Sequence, residues 1–225
     1  MSLNPVPVIA IDGPSASGKG TVAQIVAEKL GYHYLDSGAL YRIVALAAFE
    51  LSIDWQAEDD IAKLVSQLSI KFEHGETYLN DADVSEKIRT EQMGQGASKV
   101  AAHPLVRIAL VDLQHSFRQA PGLVADGRDM ATVIFPDAKI KIFLSASAEV
   151  RAERRYKQLI NKGLEADYQA ILKDLQDRDA RDSQRTVAPL QQAPDAILLE
   201  TSNLSIEQAV NEALQAVSAS RKSLS

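Results

Sequence analysis

The stretch IDGPSASGKGT, residues 11–21, sets glycines, hydroxyl residues and one lysine directly behind an apolar run. It follows the phosphate-loop pattern of a glycine, four residues and Gly-Lys, with one more glycine before the hydroxyl residue Thr21. Glycines let successive N–H groups turn toward phosphate oxygens, and the helix that follows adds the positive end of its dipole. The pattern predicts a loop that binds a nucleoside triphosphate through Gly13, Pro14, Ser15, Ala16, Ser17, Gly18, Lys19, Gly20 and Thr21.

Three side chains could handle the charge of a triphosphate and its metal ion. Lys19 is predicted to reach the β and γ phosphate oxygens, and the hydroxyl of Thr21 to reach Mg²⁺. An apolar strand that ends in Asp126 resembles the acidic strand end that orients Mg²⁺ or its waters in phosphate-loop enzymes. The sequence therefore predicts Thr21 and Asp126 as metal ligands.

Arginines are concentrated in a few stretches of a chain that is acidic as a whole. Arg42 closes the stretch LDSGALYR, Arg128 and Asp129 follow directly behind Asp126, and six of the twelve arginines lie between Arg151 and Arg185. Arginine offers planar, bidentate donors to phosphates, so this clustering favours an anionic ligand and a lid that closes over it. Some of these arginines are also expected to pair with acidic neighbours on exposed helices.

The elements that must position these residues alternate along the chain. Apolar strands such as VPVIAID, GLVAD and KIKIFLSA are separated by segments of helical periodicity such as GTVAQIVAEKL. This alternation predicts an α/β fold with a mostly parallel sheet covered on both faces. Between Ile70 and Val84 the polarity alternates, and Gly75 and Asn80-Asp81 are turn signals, so an antiparallel excursion is predicted there. Ser205 is the predicted N-cap of the last helix.

Composition excludes several classes of protein. The chain has 225 residues, of which 46% are hydrophobic, and this is enough for a real core. A net charge of -6 argues against a general nucleic-acid or anionic-membrane surface, and the absence of cysteine excludes disulfides and thiolate metal sites. No signal peptide or long apolar span is visible. We therefore expect a cytoplasmic protein without nucleic-acid or membrane partners. A monomer is expected as well, because no heptad seam or long unbroken apolar face demands an oligomer.

Five stretches occur in order and together resemble the bacterial cytidylate kinases, from about Val8 to the final helix: IDGPSASGKGT, LDSGALYR, ASKVAAHPLVR, ADGRDMATVIFPDA and RDARDSQRTVAPL. The resemblance implies one nucleoside monophosphate kinase domain over residues 1–225, with a three-layer phosphate-loop NTPase fold and a five-stranded parallel sheet. It also implies a monophosphate-binding insertion at about 37–104 and an arginine-rich lid at about 151–165. The implied reaction is the ATP-dependent phosphorylation of CMP and dCMP to CDP and dCDP, within pyrimidine nucleotide metabolism.

The resemblance also assigns residues to the acceptor nucleotide. These substrate-binding residues are Ser37, Tyr41, Arg42, Ser98, Arg107, Arg128, Asp129, Arg178, Asp182 and Arg185. Ser98, Arg107 and Asp129 would read cytosine, and their types suit it, because its amino group is a donor and its N3 and O2 are acceptors. Arg42 and Arg128 would hold the acceptor phosphate, with Ser37 and Tyr41 nearby.

The remaining roles concern the sugar and the transferred group. By the same resemblance, Asp182 would bind the sugar hydroxyls, and Arg178 and Arg185 would contact sugar or phosphate. The catalytic residues that would stabilise the migrating phosphoryl group are Lys19, Arg128, Arg154 and Arg178. The sequence departs from the family pattern at Ala16 and Ala131, where glycine is frequent. We expect both at negative φ, because a left-handed alanine costs about 1 kcal/mol.

Two other functions stay open at this point. A small phosphate-loop kinase that acts on a hydroxyl, such as a shikimate or dephospho-coenzyme A kinase, would need a carboxylate base, and Asp36 could serve. Such an acceptor would leave Ser98, Arg107 and Asp129 unexplained. A catalytically idle ATP-binding module is the second alternative, and it would not need a second arginine-rich anion site.

Overall fold

The computed structural model describes residues 6–73 and 76–222. The chain divides into two compact units, one formed by the chain before Ser37 and after His115, the other by Ser37–His115. Within the described residues the strands are β1 (Val8–Asp12), β2 (His33–Asp36), β3 (Ile70–Glu73), β4 (Glu76–Leu79), β5 (Ala82–Asp83), β6 (Leu123–Gly127), β7 (Ile140–Ser145) and β8 (Ile197–Glu200).

Helices follow most of the strands. They are α1 (Lys19–Leu30), α2 (Ser37–Glu50), α3 (Glu58–Val65), α4 (Glu91–Val100), α5 (Pro104–Ser116), α6 (Ala148–Asn161), α7 (Tyr168–Gln184) and α8 (Ile206–Lys222), with a 3₁₀ turn at Lys87–Arg89 and a π-helical turn at Met130–Ile134. None of the helices in the described ranges is long and apolar enough to cross a membrane.

The first unit is built on a five-stranded parallel sheet in the order β2-β6-β1-β7-β8. Every residue of β1 and β6 is buried, as expected for central strands covered on both faces. The register pairs Asp36 with Asp126, and Asp12 with Gly127. Three carboxylates therefore meet at the carboxyl edge of the sheet, where ligands bind in open α/β folds. The predicted fold class and parallel sheet are confirmed.

Helices α1 and α8 share one hydrophobic core with β1 and β7. Val22 and Val26 of α1 and Val210 of α8 are almost fully buried in this core. The start of α8 is fixed by a reciprocal cap, in which Ser205 Oγ accepts the Gln208 N–H at 3.2 Å and Gln208 Oε1 accepts the Ser205 N–H at 2.8 Å. The predicted N-cap is confirmed.

The second unit combines helices with a small antiparallel sheet in the order β3-β4-β5. Helix α2 packs against α4, and Trp55 donates its indole N–H to the carbonyl of Ala45 at 2.9 Å. Asn80 and Asp81 turn between β4 and β5 with φ of 49° and 64°. The predicted antiparallel excursion and its second turn are confirmed, whereas the turn predicted at Gly75 lies outside the described residues.

Candidate functional site

The loop between β1 and α1 is shaped by close packing. A side chain at Gly13 would bring its Cβ within 2.1 Å of the Leu144 carbonyl oxygen, so only glycine fits there. Gly18 has φ of 90° and is the N-cap of α1, whose first N–H groups have no partner within the helix. The Ser17 hydroxyl is buried and has no hydrogen-bond partner among the described residues. The loop thus presents donors that an anion would satisfy.

Ala16 contradicts one expectation from the sequence. Its φ is 58°, in the left-handed region, so the prediction of negative φ was wrong at this position. The carbonyls on either side are held by α6, because Arg151 Nη1 donates to Ser15 O at 3.0 Å and Arg154 Nη1 donates to Ser17 O at 3.3 Å. The left-handed residue thus lies between two carbonyls that α6 holds in place. Ala131 lies in the right-handed π-helical turn, as expected.

Replacing Ala16 with glycine is expected to raise the free energy of unfolding by about 1 kcal/mol, because glycine adopts positive φ without steric cost. Urea unfolding measures the change. Ala131→Gly is the matched control and should lower the free energy of unfolding by about 0.5–1 kcal/mol, because its backbone is right-handed. An Ala16→Gly protein less stable than the parent would contradict the strain assigned here.

A cavity of about 460 Å³ opens beside this loop. Its lining comes from the loop and the start of α1, from one face of α6, and from the segment that joins β8 to α8: residues 16–22, Arg154, Arg155, Gln158, Thr201, Leu204, Ser205, Ile206 and Ala209. The volume is that of a typical small-molecule site. One end offers phosphate-binding donors and the other offers mixed apolar and polar walls, which suits a nucleotide.

Arg154 links the walls of this cavity. It donates to the main-chain carbonyls of Ser17 and Thr201, and Thr201, itself buried, donates its hydroxyl to the Ser145 carbonyl at 3.1 Å. The predicted catalytic Arg154 therefore lies at the phosphate loop. Thr201 was missed, although its place directly behind the strand DAILLE was a usable signal.

Arg151 ties the loop to α7. Its guanidinium is buried and forms a bidentate pair with Asp179, in addition to its bond with Ser15 O. Helix α7 also carries Arg178 and Asp182. The expected pairing of an arginine of this region with an acidic neighbour is confirmed at Asp179, but the Arg151 side chain is buried and does not lie on an exposed helix face.

A buried group of opposite charges lies at the carboxyl edge of the sheet. The Tyr34 hydroxyl donates to Asp126 Oδ2 at 2.7 Å, and a Cβ at Gly20 would lie 3.2 Å from the same oxygen. Burial, and then repulsion by Asp36, raise the pKa of Asp126 to about 7. Burial, and then repulsion by Arg128, lower the pKa of Lys19 to about 8. Lys19 thus remains mostly charged at neutral pH.

The oxygens of Thr21 and Asp126 suit a magnesium ion. Asp126 lies against the first turn of α1, and Thr21 belongs to that turn. Mg²⁺ prefers oxygen ligands and is usually held by one or two protein groups together with phosphates and water. A hydroxyl and a carboxylate at the start of the helix fit that requirement.

Arg128 and Asp182 form a buried ion pair in the same unit. Arg128 Nε donates to Asp182 Oδ2 at 2.8 Å, with the side chains only 14% and 6% exposed. Burial alone would raise the pKa of Asp182, but Arg128 and then Arg178 hold it below its usual range. Burial alone would lower the pKa of Arg128, but the attraction of Asp182 outweighs the effect of burial and raises the pKa of Arg128. Each charge is therefore kept in place by the other.

Asp129 opens the π-helical turn behind Arg128. Its carboxylate lies 3.6 Å from Arg185 Nη2, and both side chains are almost fully buried. The N–H groups of the π-helical turn donate hydrogen bonds to Asp12 of β1. These bonds lower the pKa of Asp12, but burial outweighs them and raises it to about 6. Sequence reasoning missed Asp12, although a carboxylate at the end of an otherwise apolar strand was a signal.

The unit Ser37–His115 carries the other predicted acceptor residues. Helix α2 begins at Ser37 and places Tyr41 one turn later. The Arg107 guanidinium lies 5.7 Å from the centre of the Tyr41 ring, a cation–π contact, and its Nη1 donates to Ala101 O at 3.3 Å. Ser98 of α4 is buried.

Arg42 is anchored within the same unit. Its Nη1 donates to Ile88 O at 2.7 Å and to Thr90 O at 3.1 Å. A Cβ at Gly94 would lie 3.0 Å from its Nη2, so a larger residue at this position of α4 would require the guanidinium to shift by a few tenths of an ångström. The carbonyls fix the direction of the Arg42 side chain.

The sequence profile of the Cytidylate kinase family matches residues 9–219. The cytidylate kinase of Polynucleobacter asymbioticus is 61% identical over 212 residues, which cover 94% of this chain and 96% of the relative. The cytidylate kinase of Burkholderia vietnamiensis is 58% identical over 212 residues, with 94% and 93% covered.

A solved structure agrees on the fold. The crystal structure of an uncharacterised protein from Eubacterium ventriosum matches with a TM-score of 0.53 at 14% identity, covering 94% of this chain and 98% of that chain. This likeness concerns the fold alone. Because the family profile spans almost the whole chain and the relatives share more than half of its residues, the protein belongs to the cytidylate kinase family.

Proposed function

We propose that the protein transfers the γ-phosphoryl group of ATP to the phosphate of CMP or dCMP, giving CDP or dCDP and ADP. The family match over residues 9–219 carries this proposal. The geometry of the α/β unit supports it, because a nucleotide-sized cavity and a buried arginine cluster occur in the same unit. The enzyme would serve pyrimidine nucleotide metabolism.

The donor is proposed to bind in the cavity beside the phosphate loop. The unpartnered Ser17 hydroxyl and the N–H groups at the start of α1, which have no partner within the helix, support phosphate binding at that end. Arg154 and Arg155 of α6 line the cavity. We therefore propose that residues 151–165, most of which belong to α6, act as the lid over the triphosphate.

The acceptor is proposed to meet the buried charges of the same unit. Asp129 would accept the cytosine amino group, a donor that uracil lacks. Arg128 would hold the acceptor phosphate, Asp182 the sugar hydroxyls, and Arg178 and Arg185 sugar or phosphate. The burial of the pairs Arg128–Asp182 and Asp129–Arg185 supports these roles, because buried charges interact strongly with a ligand.

The unit Ser37–His115 is proposed to contain the monophosphate-binding insertion at about 37–104, within one catalytic domain over residues 1–225. The sequence resemblance is the ground for the acceptor ligands proposed there: Ser37, Tyr41, Arg42, Ser98 and Arg107. The contact between Tyr41 and Arg107 gives both side chains a fixed orientation. The monomeric state and the cytoplasmic location stay predictions.

The proposed reaction needs no general base. An oxygen of the CMP phosphate attacks the γ-phosphorus, the bond to the β,γ-bridging oxygen breaks, and ADP leaves. The attacking oxygen is already anionic near neutral pH, because the second pKa of a phosphate monoester is about 6. The side chains therefore contribute position and charge, and those proposed to stabilise the transferred group are Lys19, Arg128, Arg154 and Arg178.

Magnesium is the proposed cofactor, and Thr21 and Asp126 would hold it. When bound, the ion neutralises charge on the β and γ phosphate oxygens. Tyr34 contributes by fixing the orientation of the Asp126 carboxylate through its hydrogen bond at 2.7 Å.

A coupled ADP-release assay with ATP and Mg²⁺ tests the proposal against CMP, dCMP, UMP, AMP and shikimate. We expect kcat/KM for CMP and dCMP to exceed the values for UMP and AMP by about tenfold or more. Turnover with shikimate alone would favour a hydroxyl kinase that uses Asp36 as base. The absence of turnover with every acceptor would favour a binding module, and either result would overturn the proposal.

A further inference from the structure

Asp12 ends β1 with a carboxylate that is only 2% exposed. Its Oδ1 accepts the Met130 N–H at 2.9 Å, and its Oδ2 accepts the Ala131 N–H at 2.8 Å. Both oxygens are therefore engaged with successive N–H groups of the π-helical turn. The phosphate-loop pattern begins only at Gly13, so it does not account for this carboxylate.

The N–H groups that Asp12 accepts come directly after Asp129. They belong to the first residues of the turn, where no carbonyl within the turn can accept them. An aspartate at this N-cap position usually caps its own helix with its side chain. Asp129 makes no such bond, and its carboxylate lies near Arg185 instead. The cap is supplied by Asp12 of β1 instead.

We propose that Asp12 is a positioning residue for recognition of the acceptor base: it caps the turn in place of Asp129, so that the first N–H groups of the turn do not hold the Asp129 carboxylate. The inference rests on the proposed function, in which Asp129 accepts the amino group of cytosine.

The chemistry of the cap requires an aspartate. Two neighbouring N–H groups need two acceptor oxygens on one short side chain, and asparagine has one acceptor and a donor that would face an N–H. Burial raises the pKa of Asp12 to about 6, so the fold keeps a carboxylate where solvation would not favour it. In Asp12→Asn the released N–H group competes for the Asp129 carboxylate, because that is the usual N-cap arrangement. This competition withdraws Asp129 from the base.

The test compares kcat/KM for CMP and UMP in the parent, Asp129→Asn and Asp12→Asn proteins. Both variants should lower the ratio of CMP to UMP by about tenfold or more, mainly through KM for the acceptor, while KM for ATP stays within about threefold. A purely structural defect would lower kcat/KM for CMP and for UMP to the same extent and leave their ratio unchanged. Asp137→Asn is the matched control, because this exposed carboxylate of the same unit pairs with Arg118, and it should leave the ratio unchanged.

The outcomes separate the inference from the proposed function. A parent enzyme without preference for CMP would overturn the proposed function. A different result would overturn the inference alone. In that case the Asp129→Asn protein loses its preference for CMP over UMP, while a folded Asp12→Asn protein keeps the parent ratio within about twofold. If Asp12→Asn does not fold, Asp12→Ser is the second variant, because its single hydroxyl oxygen cannot replace the two carboxylate oxygens that accept the Met130 and Ala131 N–H groups. The folded serine variant should lose the ratio as well, and retention of the ratio would overturn the inference.

Discussion

Replacing Lys19 with alanine is expected to lower kcat for phosphoryl transfer by on the order of 10³-fold while the fold is retained. Lys19 begins α1 and lines the cavity beside the phosphate loop. Burial and the neighbouring Arg128 lower its pKa to about 8, so the charge is held at a net cost to folding. Its removal should therefore leave the unfolding temperature unchanged or raise it.

Steady-state kinetics with CMP and thermal unfolding measure both parts of this prediction. Lys29→Ala is the matched control, because Lys29 lies exposed in the last turn of the same helix. That variant should keep kcat within about twofold. A Lys19→Ala enzyme that keeps kcat within about tenfold of the parent would contradict the assigned role.

Much of the fold and of the donor site could be predicted because the signals are local. Apolar runs and helical periodicity are properties of neighbouring residues, and they predict the parallel sheet and its helices. The phosphate loop is equally local, since the spacing from Gly13 to Lys19 itself carries the chemistry. The pairing of Asp36 with Asp126 then follows from the sheet order, which places two predicted strand ends side by side.

The missed features depend on main-chain groups far away in the sequence. The positive φ of Ala16 goes with carbonyls that are held by Arg151 and Arg154, whose partners Ser15 and Ser17 are 136 and 137 positions away. The donors to Asp12 are N–H groups 118 and 119 positions away. Every residue except proline has such an N–H, so the types of the donor residues give no signal.

Replacing Arg128 with alanine is expected to lower kcat/KM for CMP by at least about 10²-fold, a loss of roughly 2.7 kcal/mol of transition-state stabilisation. Arg128 follows the last residue of β6, and its guanidinium is held by Asp182 in a buried pair. A guanidinium fixed in this way can bind a phosphate without first losing the freedom of a mobile side chain. The proposed clamp on the acceptor phosphate disappears with it.

The same substitution is expected to destabilise the protein, because it leaves the buried Asp182 without its main partner. Removing one member of a buried pair costs roughly 3 kcal/mol or more at neutral pH. The folded-state pKa of Asp182 is lowered, so its stabilising contribution is present above the unfolded pKa of 3.8 and is lost as pH falls through the folded value. The difference in unfolding free energy between parent and variant should therefore narrow toward low pH.

A second substitution separates the two effects. Asp182→Asn combined with Arg128→Ala removes the unpaired buried charge, so it should restore part of the stability at neutral pH without restoring kcat/KM. Arg118→Ala is the matched control, because Arg118 also forms an ion pair with an aspartate, Asp137. Its other contact is a hydrogen bond to the Val6 carbonyl, which precedes β1 and lies at the opposite end of that strand from the phosphate loop. It should change kcat/KM by no more than about twofold. Recovery of activity in the double variant would mean that Arg128 only neutralises Asp182, and the phosphate clamp would then be wrong.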